Sequence, residues 1–200
     1  MSSIDQLEQC PGLSGLYPYM RPLSLADVKS CVEVENAFIE QERCSEEKFI
    51  YRLSQTPELS LGLFVRTEKG DRHIGHVIGN RTSFDGITEE SMGMPDNWRS
   101  LAPNEQVVRN GKVVGNEANG NIIAIHSVVT IPEYQGKGIG KAMVKAYIQY
   151  MREQRVPEKR FVLIAHDYLV KFYESAGFHN RGKSPCQFAG SVWYDLALDI

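Results

Sequence analysis

Apolar residues recur at two periods along this chain, and the switches between the periods mark its elements. Tyr17 to Leu23 reads as a short extended run. Ser24 then opens a helix with Asp27 as capping partner, and Leu25, Val28, Val32, Val34 and Phe38 follow at helical spacing. Ser45 caps a second helix carrying Phe49, Ile50 and Leu53, which Pro57 ends. Leu61–Arg66 and Ile74–Thr82 read as strands joined by a hairpin connection, Thr67–Arg72. The pattern lapses over residues 83–120, where Asp85-Gly86, Pro95-Asp96, Pro103-Asn104, Asn110-Gly111 and Asn119-Gly120 are turn signals. A helical turn at 89–92 and a small hairpin at Val107–Val114 are expected inside this long irregular insertion.

Periodicity resumes with an apolar, β-branched strand, Ile122–Thr130, a glycine-rich turn, and a helix to about Glu153. Ile139, Met143, Tyr147 and Met151 stack on that helix four residues apart and predict a core-facing stripe. Arg160–Ala165 is another strand, Asp167 an N-cap, 168–176 a helix and Gly177 its C-cap. Two closing strands are expected at 178–188 and 190–197, turning at Ala189-Gly190. The order β-α-α-β-β, loop, β-α-β-α-β-β describes an α/β domain over 17–200 with a mixed sheet flanked by helices. Residues 1–16, polar with Pro11, Gly12 and Gly15, read as a flexible arm.

A chain of 200 residues with 42% hydrophobic and 24% charged residues suits one globular domain. A net charge of −3 without a basic cluster argues against nucleic acid as a partner. No apolar run is long enough for a membrane span, and the N-terminus lacks a signal pattern, so a cytoplasmic chain is expected. Cys10, Cys31, Cys44 and Cys186 are scattered without pairing motifs, and the five histidines show no ligand spacing, so no metal is expected. His73 and His76, three apart in a strand, are expected on opposite faces.

The turn Gln135-Gly136-Lys137-Gly138-Ile139-Gly140-Lys141 is the strongest chemical signal. Alternating glycines leave backbone amides bare at a helix N-terminus, where the helix dipole favours an anion. A P-loop is excluded because Gln135 and Ala142 stand where it needs glycine and a hydroxyl, and the dinucleotide fingerprint fails at Lys141. An ordinary glycine-rich βα turn is the alternative. Gln135, Gly138 and Gly140 fit the pattern Q/R-x-x-G-x-G/A, and here the chain resembles the GCN5-related N-acetyltransferases. Further strings sharpen the likeness: Ala37-Phe38-Ile39, Pro57-Glu58-Leu59-Ser60-Leu61-Gly62 leading to Phe64-Val65, Ile87 to Met92, and Lys171-Phe172-Tyr173-Glu174 with Gly177-Phe178. Together they resemble the arylalkylamine (serotonin) N-acetyltransferases from about Tyr19 to Leu196. The stretch 97–120 is longer than expected of vertebrate members, which suggests a microbial or fungal branch.

The resemblance implies a single-domain GCN5-related acetyltransferase fold and acetyl-CoA as co-substrate. It implies direct acetyl transfer to the primary amine of a small arylalkylamine, with no acyl-enzyme. Val128, Val129 and Thr130 would bind the acetyl and pantetheine groups through their backbone. Gln135, Gly136, Lys137, Gly138, Ile139, Gly140 and Lys141 would hold the pyrophosphate. The family carries two histidines in the proton path; His126 matches the second, while Ala124 replaces the first. His166, at the end of the neighbouring strand, is a candidate substitute. Tyr173 matches the family's general acid to the thiolate.

Phe38, Phe64, Ile164 and Phe188 are candidate acceptor walls, and Glu33, Glu35, Glu89 and Glu90 candidate negative charge. Polyamine acetylation is the alternative activity, followed by protein-amine acetylation or CoA sensing without turnover. A monomer without the family's phosphorylation-dependent adaptor is expected.

Overall fold

In the computed structural model, which describes residues 1–102 and 105–200, the expected order is present with one added element at its start. The chain runs α1 (Ser3–Glu8), β1 (Tyr19–Pro22), α2 (Val28–Glu35), α3 (Glu46–Gln55), β2 (Leu61–Thr67) and β3 (Gly70–Thr82). The insertion holds α4 (Glu89–Met92) and a hairpin, β4 (Val108–Arg109) with β5 (Lys112–Val113), turning at Asn110-Gly111 as expected. The Pro103-Asn104 turn lies outside the described residues. Then come β6 (Ile122–Thr130), α5 (Ile139–Glu153), β7 (Arg160–Ala165), α6 (Asp167–Glu174), β8 (His179–Lys183) and β9 (Tyr194–Asp199). Seven strands form one sheet in the order β1-β2-β3-β6-β7-β9-β8. All neighbours are antiparallel except β6 and β7.

The four-residue stripe on α5 does what its spacing predicts. Ile139, Met143, Tyr147 and Met151 are all at most 1% exposed and join one core with Leu63, Ile123 and Phe161. Burying each such side chain contributes about 1.5–3 kcal/mol. The Tyr147 hydroxyl donates to the Leu59 carbonyl, so its one polar atom is satisfied. On the opposite side of the sheet, Val28 and Cys31 of α2 and Phe49 and Leu53 of α3 pack on Phe64 and Ile78. Ser45 caps α3 by accepting from the Lys48 amide, as its position in the sequence requires.

Residues 1–16 are not a flexible arm. Ser2 and Asp5 form a reciprocal capping box, and Leu7 and Leu13, each 1% exposed, are part of the α5 core. The polar residues hid a segment held by two buried leucines rather than by a long apolar stripe. At α6 the N-cap is His166 instead of Asp167, and its side chain makes no capping bond. The closing strands are shorter than expected. Positive φ at Ala189 and Gly190, inside a tight turn at Phe188–Gly190, breaks the extended chain there.

His73 and His76 do not lie on opposite faces. Leu63 pairs with Gly75 and Phe64 with His73, so Ile74 is an extra residue in β3. Such a bulge resets the alternation. The two imidazoles are consequently neighbours, with centroids 5.6 Å apart.

Candidate active site

A second bulge creates the site. Ile78 pairs with Ser127 and Gly79 with Ile125, leaving His126 as the extra residue in β6. The parallel ladder between β6 and β7 covers only Ile122–Ala124 and Arg160–Val162. Beyond it the strands part. Backbone groups of β6 from Ile125 onward, on the side away from β3, have no strand partner among the described residues.

At that turn Gly136 and Gly138 have φ of 71° and 77°, a region in which side chains are disfavoured. The amides of residues 136–141 donate to no carbonyl among the described residues. Six bare amides at the start of a 15-residue helix form a positive concavity suited to a pyrophosphate. The Gln135 side chain donates to the Thr130 carbonyl and ties the turn to the strand end. Lys137 is folded back, its ammonium donating to the Glu133 carbonyl, while Lys141 is exposed. The N-terminal segment braces the turn from behind: a Cβ on Gly12 would stand 2.6 Å from the Lys137 carbonyl oxygen. Nothing in the composition of residues 1–16 pointed to that contact.

Inside the gap lies a cavity bordered by Phe38, Glu42, Met92, His126, Tyr173 and Trp193. Ser127, Val128, Ile164, His166, Tyr168 and Phe188 also line it. Three of the four expected wall residues are therefore here: Phe38, Ile164 and Phe188. Phe64 is not. It is 4% exposed, stacked between Tyr19 and His73 under the Arg21 guanidinium, in the core beneath α2 and α3. None of Glu33, Glu35, Glu89 and Glu90 lines the cavity. Its carboxylate is Glu42, which accepts from His166 Nε2 at 3.0 Å. His166 is itself stacked between Tyr168 and Trp193, with centroids 5.4 and 4.0 Å away. Glu42, Tyr168 and Trp193 lack a local sequence motif, and only the packing of separate segments brings them together with Met92.

His126 is a constrained imidazole. Asn80 donates through Nδ2 to the Ser91 carbonyl, which turns its Oδ1 towards His126. His126 Nε2, 2.9 Å from that oxygen, is then the protonated nitrogen, and Nδ1 lies against the Met92 sulfur. Burial, with the nearby charges of Arg52 and Lys48, holds its pKa well below the usual histidine range. Ala124, in the position of the missing histidine, is fully buried and contributes only packing.

Tyr173 reaches the cavity from α6, its ring edge-on to Phe172 and Phe178. Burial raises its pKa far above that of an ordinary phenol, so the hydroxyl stays protonated. Burial likewise pushes the thiols of Cys44 and Cys186 up to about 11 and that of Cys31 up to about 12, so none is a thiolate at neutral pH.

Residues 104–200 match the family model described as an acetyltransferase (GNAT) domain. The fold is shared with the loading GNATL domain of CurA from Lyngbya majuscula, at a TM-score of 0.65 and 14% identity over 92% of this chain and 98% of that one. It is also shared with the PaiA N-acetyltransferase of Thermoplasma acidophilum in complex with coenzyme A, at 0.57 and 16% over 92% and 100%. The solved structures give the chain a GNAT fold, and its C-terminal half matches the GNAT acetyltransferase domain model.

The chain is 30% identical over 134 residues to serotonin N-acetyltransferase from Mesocricetus auratus, covering 67% of this chain and 51% of that protein. It is 34% identical over 89 residues to the uncharacterized N-acetyltransferase ycf52 of Pyropia yezoensis, covering 42% and 48%. The chain thus spans about half the length of the curated relatives it matches. No helix among the described residues is long and apolar enough to cross a membrane.

Proposed function

We propose that this protein is an acetyl-CoA-dependent N-acetyltransferase for a small primary amine, with an arylalkylamine as the preferred acceptor. The observation that carries the reading is the gap between β6 and β7. It runs from the bare amides of residues 136–141 to a cavity of aromatic walls holding one carboxylate. The amides suit the pyrophosphate, and the edge of β6 at Val128, Val129 and Thr130, beyond the ladder with β7, suits the pantetheine amides as an added strand. Acetyl-CoA supplies an activated acetyl group as a thioester. Phe38, Phe188, Tyr168 and Trp193 offer aromatic faces to a ring and an ammonium, and Glu42 offers the opposite charge.

The amine nitrogen, once deprotonated, attacks the thioester carbonyl. The N–C bond forms, the C–S bond breaks, Tyr173 gives its proton to the departing sulfur, and the proton shed by the newly acylated nitrogen restores the Tyr173 hydroxyl. His126 lines the cavity as a neutral imidazole whose ring is held by Asn80 and Met92. A polyamine acceptor is less well served, because several ammonium groups need several carboxylates and the lining, among the described residues, carries one.

The test is steady-state acetylation with acetyl-CoA against tryptamine, serotonin, phenylethylamine, spermidine and a lysine peptide, followed by CoA release. Higher kcat/KM for the aromatic amines is expected. A preference for spermidine or the peptide would overturn the acceptor class, and CoA binding without turnover of any of them would overturn the activity.

A further inference from the structure

Behind the cavity floor, on the side of the sheet covered by α2 and α3, lies a carboxylate with three donors. Glu35 at the end of α2 is 2% exposed. Its Oε2 accepts from Ser127 Oγ at 2.9 Å and from His76 Nε2 at 2.9 Å, and its Oε1 accepts from the Cys44 amide at 3.0 Å. Ser127 Oγ and His76 Nε2 are themselves 3.3 Å apart. His76 is completely buried, and its Nδ1 finds no partner among the described residues. A buried carboxylate and imidazole cost solvation, and a structure keeps such groups at a price unless they are used or fully paired. Here one nitrogen is left unpaired.

Ser127 joins this group to the cavity. It follows the bulged His126, is among the residues lining the cavity, and gives its hydroxyl proton to Glu35. The amine arrives as an ammonium and must lose a proton before it attacks. His126 is poorly placed to take it alone, since Nε2 is committed to Asn80, Nδ1 faces a sulfur, and two nearby cations oppose its protonation.

We propose, on the basis of the acetyltransferase reading above, that Ser127 relays the amine's proton to the buried Glu35–His76 pair, which stands in for the histidine absent at Ala124. An ammonium N–H bond breaks as Ser127 Oγ takes its proton, and the hydroxyl's own proton passes to Glu35 Oε2. The amine is left neutral with a free electron pair, the carboxylate becomes a carboxylic acid, and no net charge is created. After acetyl transfer and product departure the proton passes from Glu35 back through Ser127 to water entering the vacated cavity, which is the one proton the reaction releases. Ser127 is the catalytic group in contact with substrate; Glu35 and His76 act through it as positioning residues.

The groups facing Glu35 leave it ionised before the transfer. His76 and the Cys44 amide outweigh the effect of burial and hold its pKa below the usual glutamate value. Cys31 on α2 and Cys44 before α3 are protonated thiols. Arg52 of α3 reaches the Cys44 sulfur from the far side, His73 sits beyond His76, and His126 precedes Ser127.

The experiment is the pH dependence of kcat/KM for wild type, Ser127→Ala and Glu35→Gln with the best amine of the panel, alongside acetyl-CoA affinity and melting temperature. Ser127→Ala leaves the Glu35–His76 and Glu35–Cys44 bonds in place and keeps the protein folded even if Glu35→Gln does not. The expected loss is about 10- to 100-fold near pH 6, shrinking towards wild type as pH approaches the amine's own pKa, because a free amine needs no acceptor. Acetyl-CoA affinity is expected to stay unchanged. Wild-type turnover with a loss in Ser127→Ala that is absent, or equal at every pH, overturns the relay alone. Wild type that acetylates no amine overturns the acetyltransferase reading and the relay with it. An acidic limb removed by Glu42→Gln and untouched by Ser127→Ala assigns the proton to the cavity rim and also refutes the relay.

Discussion

Substituting Gly12 by alanine tests whether the N-terminal segment sets the geometry of the glycine turn. The added Cβ would stand 2.6 Å from the Lys137 carbonyl oxygen, 2.8 Å from Lys137 Cβ and 3.0 Å from Ile139 Cγ1. The nearest of these atoms is backbone, which cannot swing aside as a side-chain tip can. Either the segment lifts away or the turn moves. Lifting would expose Leu7 and Leu13, each 1% exposed in the native fold. At about 1.5–3 kcal/mol per leucine, that costs roughly 3–6 kcal/mol. Local overpacking strain typically costs about 1–3 kcal/mol, so movement of the turn is the cheaper response.

The amides of residues 136–141 then lose their alignment. A loss of about 1.4 kcal/mol in pyrophosphate binding is a tenfold rise in the acetyl-CoA dissociation constant. The melting temperature should fall by about 2–4 °C per kcal/mol of strain. Calorimetric titration with acetyl-CoA and a thermal melt read the two quantities separately. A lowered melting temperature with unchanged acetyl-CoA affinity would refute the bracing role and leave the segment as part of the core only.

Other outcomes follow from the same geometry. Glu42→Gln removes the cavity's carboxylate, and a charge-assisted bond of about 1.5–3 kcal/mol implies an amine KM raised roughly 10- to 100-fold, with that of acetyl-CoA constant; an unchanged amine KM rules Glu42 out as the ammonium's partner. Tyr173→Phe should lower kcat about tenfold, less than the usual hundredfold or more because a thiolate leaves readily, and an undiminished kcat removes Tyr173 from the proton path. Burial, reinforced by the neighbouring His76, depresses His73 to about 3. Its unfolded value is about 6.5, so the unfolded chain binds the proton first. The stabilisation is complete above that pH and is lost as pH falls towards 3, by roughly 2 kcal/mol at pH 5. Urea melts at pH 7.5 and 5 should show this loss and show it diminished in His73→Gln; equal losses in both proteins contradict the assignment.

The sequence by itself determined what is local. The period of apolar residues set β6, α5 and β7, and the stripe from Ile139 to Met151 had one face to bury. Asn110-Gly111 and Ser45 acted through their own backbone neighbours, as turn and cap chemistry requires. Gly136 and Gly138 adopt the left-handed conformation that only a short-range constraint is needed to predict.

The tertiary structure decided everything that depends on how strands pair. A bulge is a mismatch between two strands, invisible in either one, and the two at Ile74 and His126 brought His73 beside His76 and parted β6 from β7. Phe64, an apolar residue on a strand, had two faces open to it, and register against β1 and β3 sent it to the core instead of the cavity. Glu42, Trp193 and the Glu35–His76–Ser127 group come from segments far apart in the chain, and only long-range packing gave them neighbours.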